Sequence, residues 1–238
     1  MKLVLVVFAA HPDDAELSCS GTIAAHVAMG HSCGIVDLTK GEMGTRGTPE
    51  LRIEEAQKSA EILGLQVRKN LGMADVNFQN DWEHQAQIVR MIRKYRPEIV
   101  LANAIRDRHP DHGRGAELVQ QSFFKSGLTK IQTEIDGEKQ EAYRPKRLYH
   151  YIQTDYIEPS FIVDISDHWE KKINSIRAFA SQFYNPESDE PETFISSSGF
   201  MEFIEARAQE LGHRIGAKYG EWFTMSTTPG IQDLFSLV

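Results

Sequence analysis

The sequence predicts an α/β fold: a doubly wound, mostly parallel sheet in a single domain. The chain has 238 residues, which is the length of one large domain. Residues 2–9 are almost continuously apolar, a pattern typical of a strand buried on both faces of a parallel sheet. Strand and helix patterns then alternate along the chain, as right-handed βαβ crossovers require.

The first half of the chain contains four strand patterns and four helix patterns. The strand over 2–9 leads through a polar turn into a helix over 15–29, with Gly30 as its C-cap. Further strands are predicted over 32–38, 65–71 and 98–103, and further helices over 49–63, 83–95 and 113–125. We treat residues 1–126 as the core of the domain.

The second half is less regular. Residues 127–144 are polar and weakly patterned, which indicates a surface excursion. Within the remaining segment, 145–238, strands are predicted over 147–152 and 161–165 and helices over 167–183 and 200–218. Residues 185–193 hold two prolines and four acidic residues and are predicted to be a loop.

Composition excludes several function classes. The chain has 34 acidic and 26 basic residues, a net charge of −8, so nonspecific binding to nucleic acid or to an anionic membrane is not expected. Cys19 and Cys33 are too few for a disulfide scaffold. Because no apolar run approaches about 20 residues and no signal-peptide cleavage site follows the first strand, we expect a cytoplasmic protein.

The tripeptide His-Pro-Asp occurs twice, at His11-Pro12-Asp13-Asp14 and at His109-Pro110-Asp111-His112. Each copy follows a predicted buried strand and precedes a helix, so both lie at the carboxyl edge of the sheet. If the first strands are ordered 3-2-1 with the fourth beside the first, the two loops flank the topological switch point, where ligand crevices form. The two motifs are therefore expected to meet in space.

These loops carry the ligand types that hold a borderline-soft divalent ion such as Zn²⁺. A catalytic zinc site needs three protein ligands and one open position. His11, Asp14 and His112 supply such a set. Iron, cobalt or manganese would also suit these ligands.

The remaining motif residues are candidates for catalysis. Asp13 is left to accept a proton from a metal-activated water, and His109 is left to face the opposite side of a reacting carbonyl. Asp111 is expected to hold His109 in one tautomer. The other histidines have no ligand-like neighbours in the sequence and are assigned no chemistry: His26, His31, His84, His150, His168 and His213.

Arginines near the predicted catalytic edge favour an anionic ligand. Arg52, Arg106 and Arg108 are the candidate substrate-binding residues, and Arg46 lies in a neighbouring loop. The alternative is that these side chains pair with local acids and only order the loops.

Two rival functions remain open at this point. A non-catalytic sugar- or nucleotide-binding module would need neither a metal nor a spare carboxylate. A two-metal phosphoesterase would need further ligands at strand ends, and the sequence offers too few. No phosphate-binding glycine motif is present, so no nucleotide cofactor is expected.

Residues 10–16 (Ala-His-Pro-Asp-Asp-Ala-Glu), followed by His109-Pro110-Asp111-His112, resemble the signature of the LmbE-like, or PIG-L, family of zinc-dependent N-acetylglucosaminyl deacetylases. The resemblance extends to residues 212–216 (Gly-His-Arg-Ile-Gly). Residues 39–48 and Arg106-Asp107-Arg108 resemble the bacillithiol-biosynthesis branch, which deacetylates N-acetylglucosaminyl malate.

The resemblance implies a Rossmann-like sheet and a homo-oligomer, since relatives are often hexamers. It also implies His11, Asp14 and His112 as zinc ligands, Asp13 as general base and His109 as the residue that stabilises the oxyanion. The implied substrate is a small, anionic glycoside.

Overall fold

The computed structural model describes residues 1–231 and 233. The first half of the chain forms four strands, β1 (Leu5–Ala9), β2 (Cys33–Thr39), β3 (Val67–Met73) and β4 (Ile99–Ala102). The helices that follow them are α1 (Asp14–Ala28), α2 (Pro49–Leu63), α3 (Trp82–Tyr95) and α4 (Pro110–Ser126).

The second half adds strands at one edge of the sheet. The excursion carries a short hairpin of β5 (Glu134–Ile135) and β6 (Glu138–Lys139). The later elements are β7 (Arg147–Tyr151), β8 (Phe161–Asp164), a 3₁₀ turn (Ser166–His168), α5 (Trp169–Arg177), α6 (Phe200–Arg214) and β9 (Gly220–Thr224). No helix in the described part of the chain is long and apolar enough to cross a bilayer.

The central sheet has seven strands in the order β3-β2-β1-β4-β7-β9-β8. The five strands from β3 to β7 pair in parallel, and β9 pairs antiparallel with both β7 and β8. The predicted α/β fold with a mostly parallel, doubly wound sheet is confirmed. Because the winding reverses between β1 and β4, a crevice opens at the carboxyl ends of these two strands.

Every residue of β1 is buried, because helices cover both faces of the sheet. Val6 and Phe8 pack on one face with side chains of α3 and α4. Leu5 and Val7 pack on the other face with side chains of α1. This two-sided packing fixes the position of the loop that follows β1.

Two helix predictions in the second half are corrected by the structure. The helix predicted over 167–183 ends at Arg177. Further on, the Glu55 carboxylate accepts a hydrogen bond from the Ser181 N–H at 2.8 Å, so this part of the chain is held by a side chain of α2. The helix predicted over 200–218 ends at Arg214, and the chain turns at Gly216 (φ 74°) into β9, which the sequence did not predict.

Gly212 allows α6 to pack against the segment that enters β9. A Cβ at this position would lie 2.6 Å from both the carbonyl carbon of Lys218 and the amide nitrogen of Tyr219. We expect Gly212→Ala to lower the free energy of unfolding by about 1–3 kcal/mol, the usual cost of overpacking, although alanine favours helices. Urea denaturation measures the change.

Gly199→Ala is the matched control, because no atom lies within 4 Å of the added Cβ. Equal stability of the Gly212→Ala and Gly199→Ala proteins would contradict the close contact between α6 and the segment before β9.

Candidate metal and catalytic centre

The candidate site lies at the carboxyl ends of β1 and β4, in a cavity of about 320 Å³. Both His-Pro-Asp motifs contribute to its lining. The ring centroids of His11 and His109 are 4.7 Å apart, and those of His109 and His112 are 5.0 Å apart. Two segments almost 100 residues apart in the sequence are therefore in contact.

Asp14, the first residue of α1, lies between two imidazoles. One carboxylate oxygen is 3.5 Å from His11 Nδ1, and the other is 3.1 Å from His112 Nε2. The backbone N–H of His11 also donates to Asp14 Oδ2 at 3.0 Å. Two nitrogens and a carboxylate at such separations match the donor set of a single divalent ion.

The outward-facing nitrogens of the two imidazoles are held by other carboxylates. His11 Nε2 is 2.9 Å from Asp75 and 3.5 Å from Asp111, and His112 Nδ1 is 2.5 Å from Asp107. Metal-ligating histidines characteristically donate their second N–H to a carboxylate in this way. The arrangement leaves His11 Nδ1 and His112 Nε2 directed towards Asp14, so these residues fit a metal.

The charges of the site follow from burial and from these contacts. Burial lowers the pKa of His112, but the carboxylates of Asp14 and Asp107 outweigh this effect and raise it to about 9. Burial raises the pKa of Asp14, but the charge of His112 and hydrogen bonds from both imidazoles hold it well below its usual range. The carboxylate is therefore ionised, as a ligand must be.

His109 also has a ring nitrogen close to the candidate metal position. Ring nitrogens of His11, His109 and His112 lie within 4.8 Å of one another, so three histidines form an alternative ligand set. However, His109 Nδ1 accepts a hydrogen bond from the Asp111 N–H at 3.3 Å. The neutral ring therefore carries its proton on Nε2 and can donate it to an oxyanion. Burial and the charges of His11 and His112 lower the pKa of His109, which keeps the ring neutral.

The expected role of the Asp111 side chain is corrected. Its carboxylate does not orient His109; it accepts hydrogen bonds from the Val76 N–H at 2.9 Å and from Arg114 at 2.6 Å, and it lies near His11 Nε2. The hydrogen bond from Asp111 to His109 comes from its backbone N–H. Asp111 therefore supports a predicted metal ligand as well as the predicted oxyanion donor.

Asp13 is buried beside Asp14 and has left-handed backbone geometry (φ 110°). Burial raises its pKa to about 6, although the adjacent Arg52 opposes this shift. The Arg52 guanidinium donates to Asp13 Oδ2 at 2.7 Å and to the Pro12 carbonyl at 3.0 Å. Arg52 also lines the cavity, and its donors hold the candidate base and the motif backbone, so its contact with substrate stays a prediction.

The other arginines differ in their surroundings. Arg106 is exposed, donates to the Tyr156 carbonyl at 3.1 Å and lies outside the described lining of the cavity, so its contact with substrate stays a prediction that this geometry does not favour. Arg46 holds residues 181–191 through several carbonyl and hydroxyl groups. Arg108 lines the cavity, with its guanidinium carbon 4.4 Å from the centre of the Phe194 ring.

Several site residues were missed by sequence analysis. Gln153, just beyond β7, donates to Asp14 Oδ1 at 3.1 Å. Its position directly after a predicted strand could have identified it as a site residue. Arg207 of α6 lines the cavity and donates to the Gln153 carbonyl. Burial lowers the pKa of Arg207 to about 10. Asp75 lies next to a predicted ligand but in no motif of the sequence, and Asp107 lies in the Arg106-Asp107-Arg108 segment without its contact with His112 having been predicted.

Comparisons with known proteins agree with this geometry. The model of the PIG-L family, described as GlcNAc-PI de-N-acetylase, matches residues 6–123. The diacetylchitobiose deacetylase of Thermococcus kodakarensis is 32% identical over 73% of this chain and 67% of its own length. The 4-oxalmesaconate hydratase of Pseudomonas putida is 28% identical over 76% of this chain and 74% of its own length.

A solved structure extends the similarity to nearly the whole chain. A conserved protein from Thermus thermophilus superimposes with a TM-score of 0.87 at 34% identity, covering 98% of both chains. The family match contains both His-Pro-Asp motifs. It therefore includes the predicted ligands and catalytic residues His11, Asp13, Asp14, His109 and His112. The chain therefore belongs to the PIG-L, or LmbE-like, deacetylase family.

Proposed function

We propose that the protein is a metal-dependent hydrolase that removes the N-acetyl group from an N-acetylglucosaminyl conjugate. The observation that carries the proposal is the position of Asp14 between His11 Nδ1 and His112 Nε2, with a second carboxylate, Asp13, directly beside it. This arrangement provides a ligand set and a separate base. A sugar-binding module would need neither.

The reaction is derived from the groups that face the cavity. A bound divalent ion supplies Lewis-acid chemistry: it polarises an amide carbonyl and lowers the pKa of a water. Asp13 takes the proton of the attacking water, since its raised pKa of about 6 lies near neutral pH. Arg52 fixes the direction of that carboxylate through the hydrogen bond to Oδ2.

His109 Nε2–H donates to the carbonyl oxygen as negative charge develops there. Asp13 then returns its proton to the amine nitrogen as the C–N bond breaks, and acetate and the free amine leave. We assign Zn²⁺ as the ion, because two imidazoles and one carboxylate suit it and leave a position open.

We propose N-acetylglucosaminyl malate as the substrate, that of the bacillithiol branch which residues 39–48 and 106–108 resemble. Arg108 supports an anionic substrate: its guanidinium lines the cavity and, within the described residues, forms no ion pair with a carboxylate. Arg207 also lies in this lining, together with Arg46 and Arg52.

We expect His11→Ala, Asp14→Ala and His112→Ala each to lose bound metal and activity together, because three ligands leave little redundancy. Metal content by mass spectrometry and acetate release from the same preparation measure both. His84→Ala is the control, since that imidazole pairs with Asp81 at 2.8 Å outside the site. Full occupancy in any of the three variants would remove that residue from the ligand set.

Asp13→Asn should keep the metal and lose about 10²- to 10⁴-fold in turnover, because the amide is nearly isosteric but cannot take a proton. His109→Ala should also keep the metal and lose about 10²- to 10³-fold, the scale of a removed oxyanion donor. Metal loss in Asp13→Asn would reverse the roles of the two aspartates, and metal loss in His109→Ala would favour the three-histidine ligand set.

Arg108→Ala should reduce kcat/KM for N-acetylglucosaminyl malate about 10- to 150-fold, corresponding to a charge-assisted hydrogen bond of about 1.5–3 kcal/mol. Hydrolysis of plain N-acetylglucosamine should change far less. Arg106→Ala is the matched control, because its guanidinium contacts the Tyr156 carbonyl rather than the cavity.

Equal losses of kcat/KM on both substrates would show that Arg108 supports the loop and does not bind the malyl group. A hydratase is among the relatives, so the assay must measure the acetate that only deacetylation releases. Failure of the wild-type protein to release acetate from either compound would overturn the proposed reaction.

A further inference from the structure

A buried ion pair from the second half of the chain contacts the middle of α1. Lys172 of α5 and Glu221 of β9 are 2.7 Å apart, and both side chains are almost fully buried. Neither residue lies in the segment matched by the family model, which ends at 123. We call Lys172 and Glu221 the α1 clamp.

The clamp binds backbone groups of the helix. Glu221 accepts hydrogen bonds from the Gly21 N–H at 2.9 Å and from the Thr22 N–H at 2.7 Å, one on each carboxylate oxygen. Lys172 Nζ donates to the Leu17 carbonyl at 2.9 Å and to the Glu16 carbonyl at 3.2 Å. Each charge therefore contacts backbone groups of the complementary type.

These contacts fall on one step of the helical ladder. In an α-helix, the N–H of residue 21 donates to the carbonyl of residue 17. Here the Gly21 N–H and the Leu17 carbonyl each have a charged partner from outside the helix. α1 nevertheless runs as one helix from Asp14 to Ala28, so the clamp contacts this step without interrupting the helix.

The packing around this step is equally close. A Cβ on Gly21 would lie 2.7–2.9 Å from three side-chain atoms of Ile165. Ile165 directly follows β8 and is fully buried. The absence of a side chain at position 21 therefore lets the second half of the chain approach the backbone of α1.

Stability alone does not account for a buried ion pair, because replacing one by apolar residues of similar volume is often neutral or stabilising. α1 begins at Asp14, and the Leu17 N–H donates to the Asp13 carbonyl at 2.9 Å. The step that the clamp contacts thus starts at Leu17, whose N–H is hydrogen-bonded to the backbone carbonyl of the candidate base.

We infer that Lys172 and Glu221 are positioning residues that set the course of α1, so that Asp13 and Asp14 lie correctly against His11 and His112. The inference rests on the proposed function where the test measures activity. Metal affinity is a second readout that does not depend on the proposed reaction. The polarity of the clamp is essential, since the carboxylate must face N–H groups and the ammonium must face carbonyls.

The first test is the apolar pair Lys172→Met/Glu221→Leu. The Gly21 N–H and the Leu17 carbonyl can satisfy each other within the helix, so we expect the protein to stay folded while the first turn of α1 shifts. Zinc affinity, by competition with a chromophoric chelator, and kcat should each fall about 10- to 100-fold, as when outer partners of a metal site are lost. KM and the melting temperature should change little.

The second test reverses the charges with Lys172→Glu/Glu221→Lys. This variant keeps an ion pair but presents the ammonium to N–H groups and the carboxylate to carbonyls, so we expect no recovery of zinc affinity or kcat. Recovery to wild-type values would show that only the ion pair matters and would overturn the clamp.

Glu221→Gln decides the question if either double variant fails to fold, because it keeps an acceptor of the same shape. It should lower zinc affinity and kcat with circular dichroism unchanged. The control is Lys146→Met/Glu98→Leu, which removes an exposed 2.6 Å ion pair outside the site and should leave both readouts unchanged.

Wild-type zinc affinity and kcat in a folded variant without the clamp would overturn the inference. A protein that releases no acetate but loses zinc affinity when the clamp is removed would contradict only the proposed reaction. The two conclusions are therefore tested separately.

Discussion

The buried carboxylate of Asp14 is the constraint on which the site depends. An ionised carboxylate is costly to bury unless hydrogen bonds and opposite charges surround it. Here two imidazoles lie 3.5 and 3.1 Å from its oxygens, and Asn103 and Gln153 donate side-chain N–H groups to it at 3.0 and 3.1 Å. Residues from the segments that follow three strands, β1, β4 and β7, must therefore be placed correctly around one side chain.

The sheet explains how those segments converge. Asn103 and Gln153 follow the neighbouring strands β4 and β7, and the loop after β1 runs beside both. Asn103 also accepts a hydrogen bond from the Ala10 N–H at 2.9 Å, which joins the loop to the adjacent strand. The α1 clamp contacts the backbone of the helix that begins at Asp14 and joins that helix to the second half of the chain.

Much of this arrangement could be predicted from the sequence because it depends on local pattern. The apolar runs gave the parallel strands, and the repeated His-Pro-Asp motif identified the loops that form the site. Contacts between distant side chains left no such pattern: Asp75 and Arg207 acquire a role only when the fold brings them beside the motif residues. The protein contacts of Arg52 and Arg106 could not be predicted for the same reason, since a charge near a site in sequence does not specify its partner.

The second half of the chain was harder to predict for a physical reason. β9 follows α6 after a short turn and pairs antiparallel with β7 and β8. It therefore departs from the alternation of parallel strands and helices that made the first half predictable. Glu221 lies in this strand, and its partners Gly21 and Thr22 are about 200 residues away. A carboxylate that binds the backbone of a distant helix has no signature in either segment.

The most direct test of the central claim is anomalous diffraction at the zinc edge from crystals of the zinc-loaded protein. The account predicts one strong peak bonded to His11 Nδ1, His112 Nε2 and the Asp14 carboxylate, at the usual distances of about 2.0–2.2 Å. Asp75 and Asp107 should remain on the opposite nitrogens of the two rings. A peak bonded to His109 in place of Asp14, or one between His11 Nε2, Asp75 and Asp111, would contradict it.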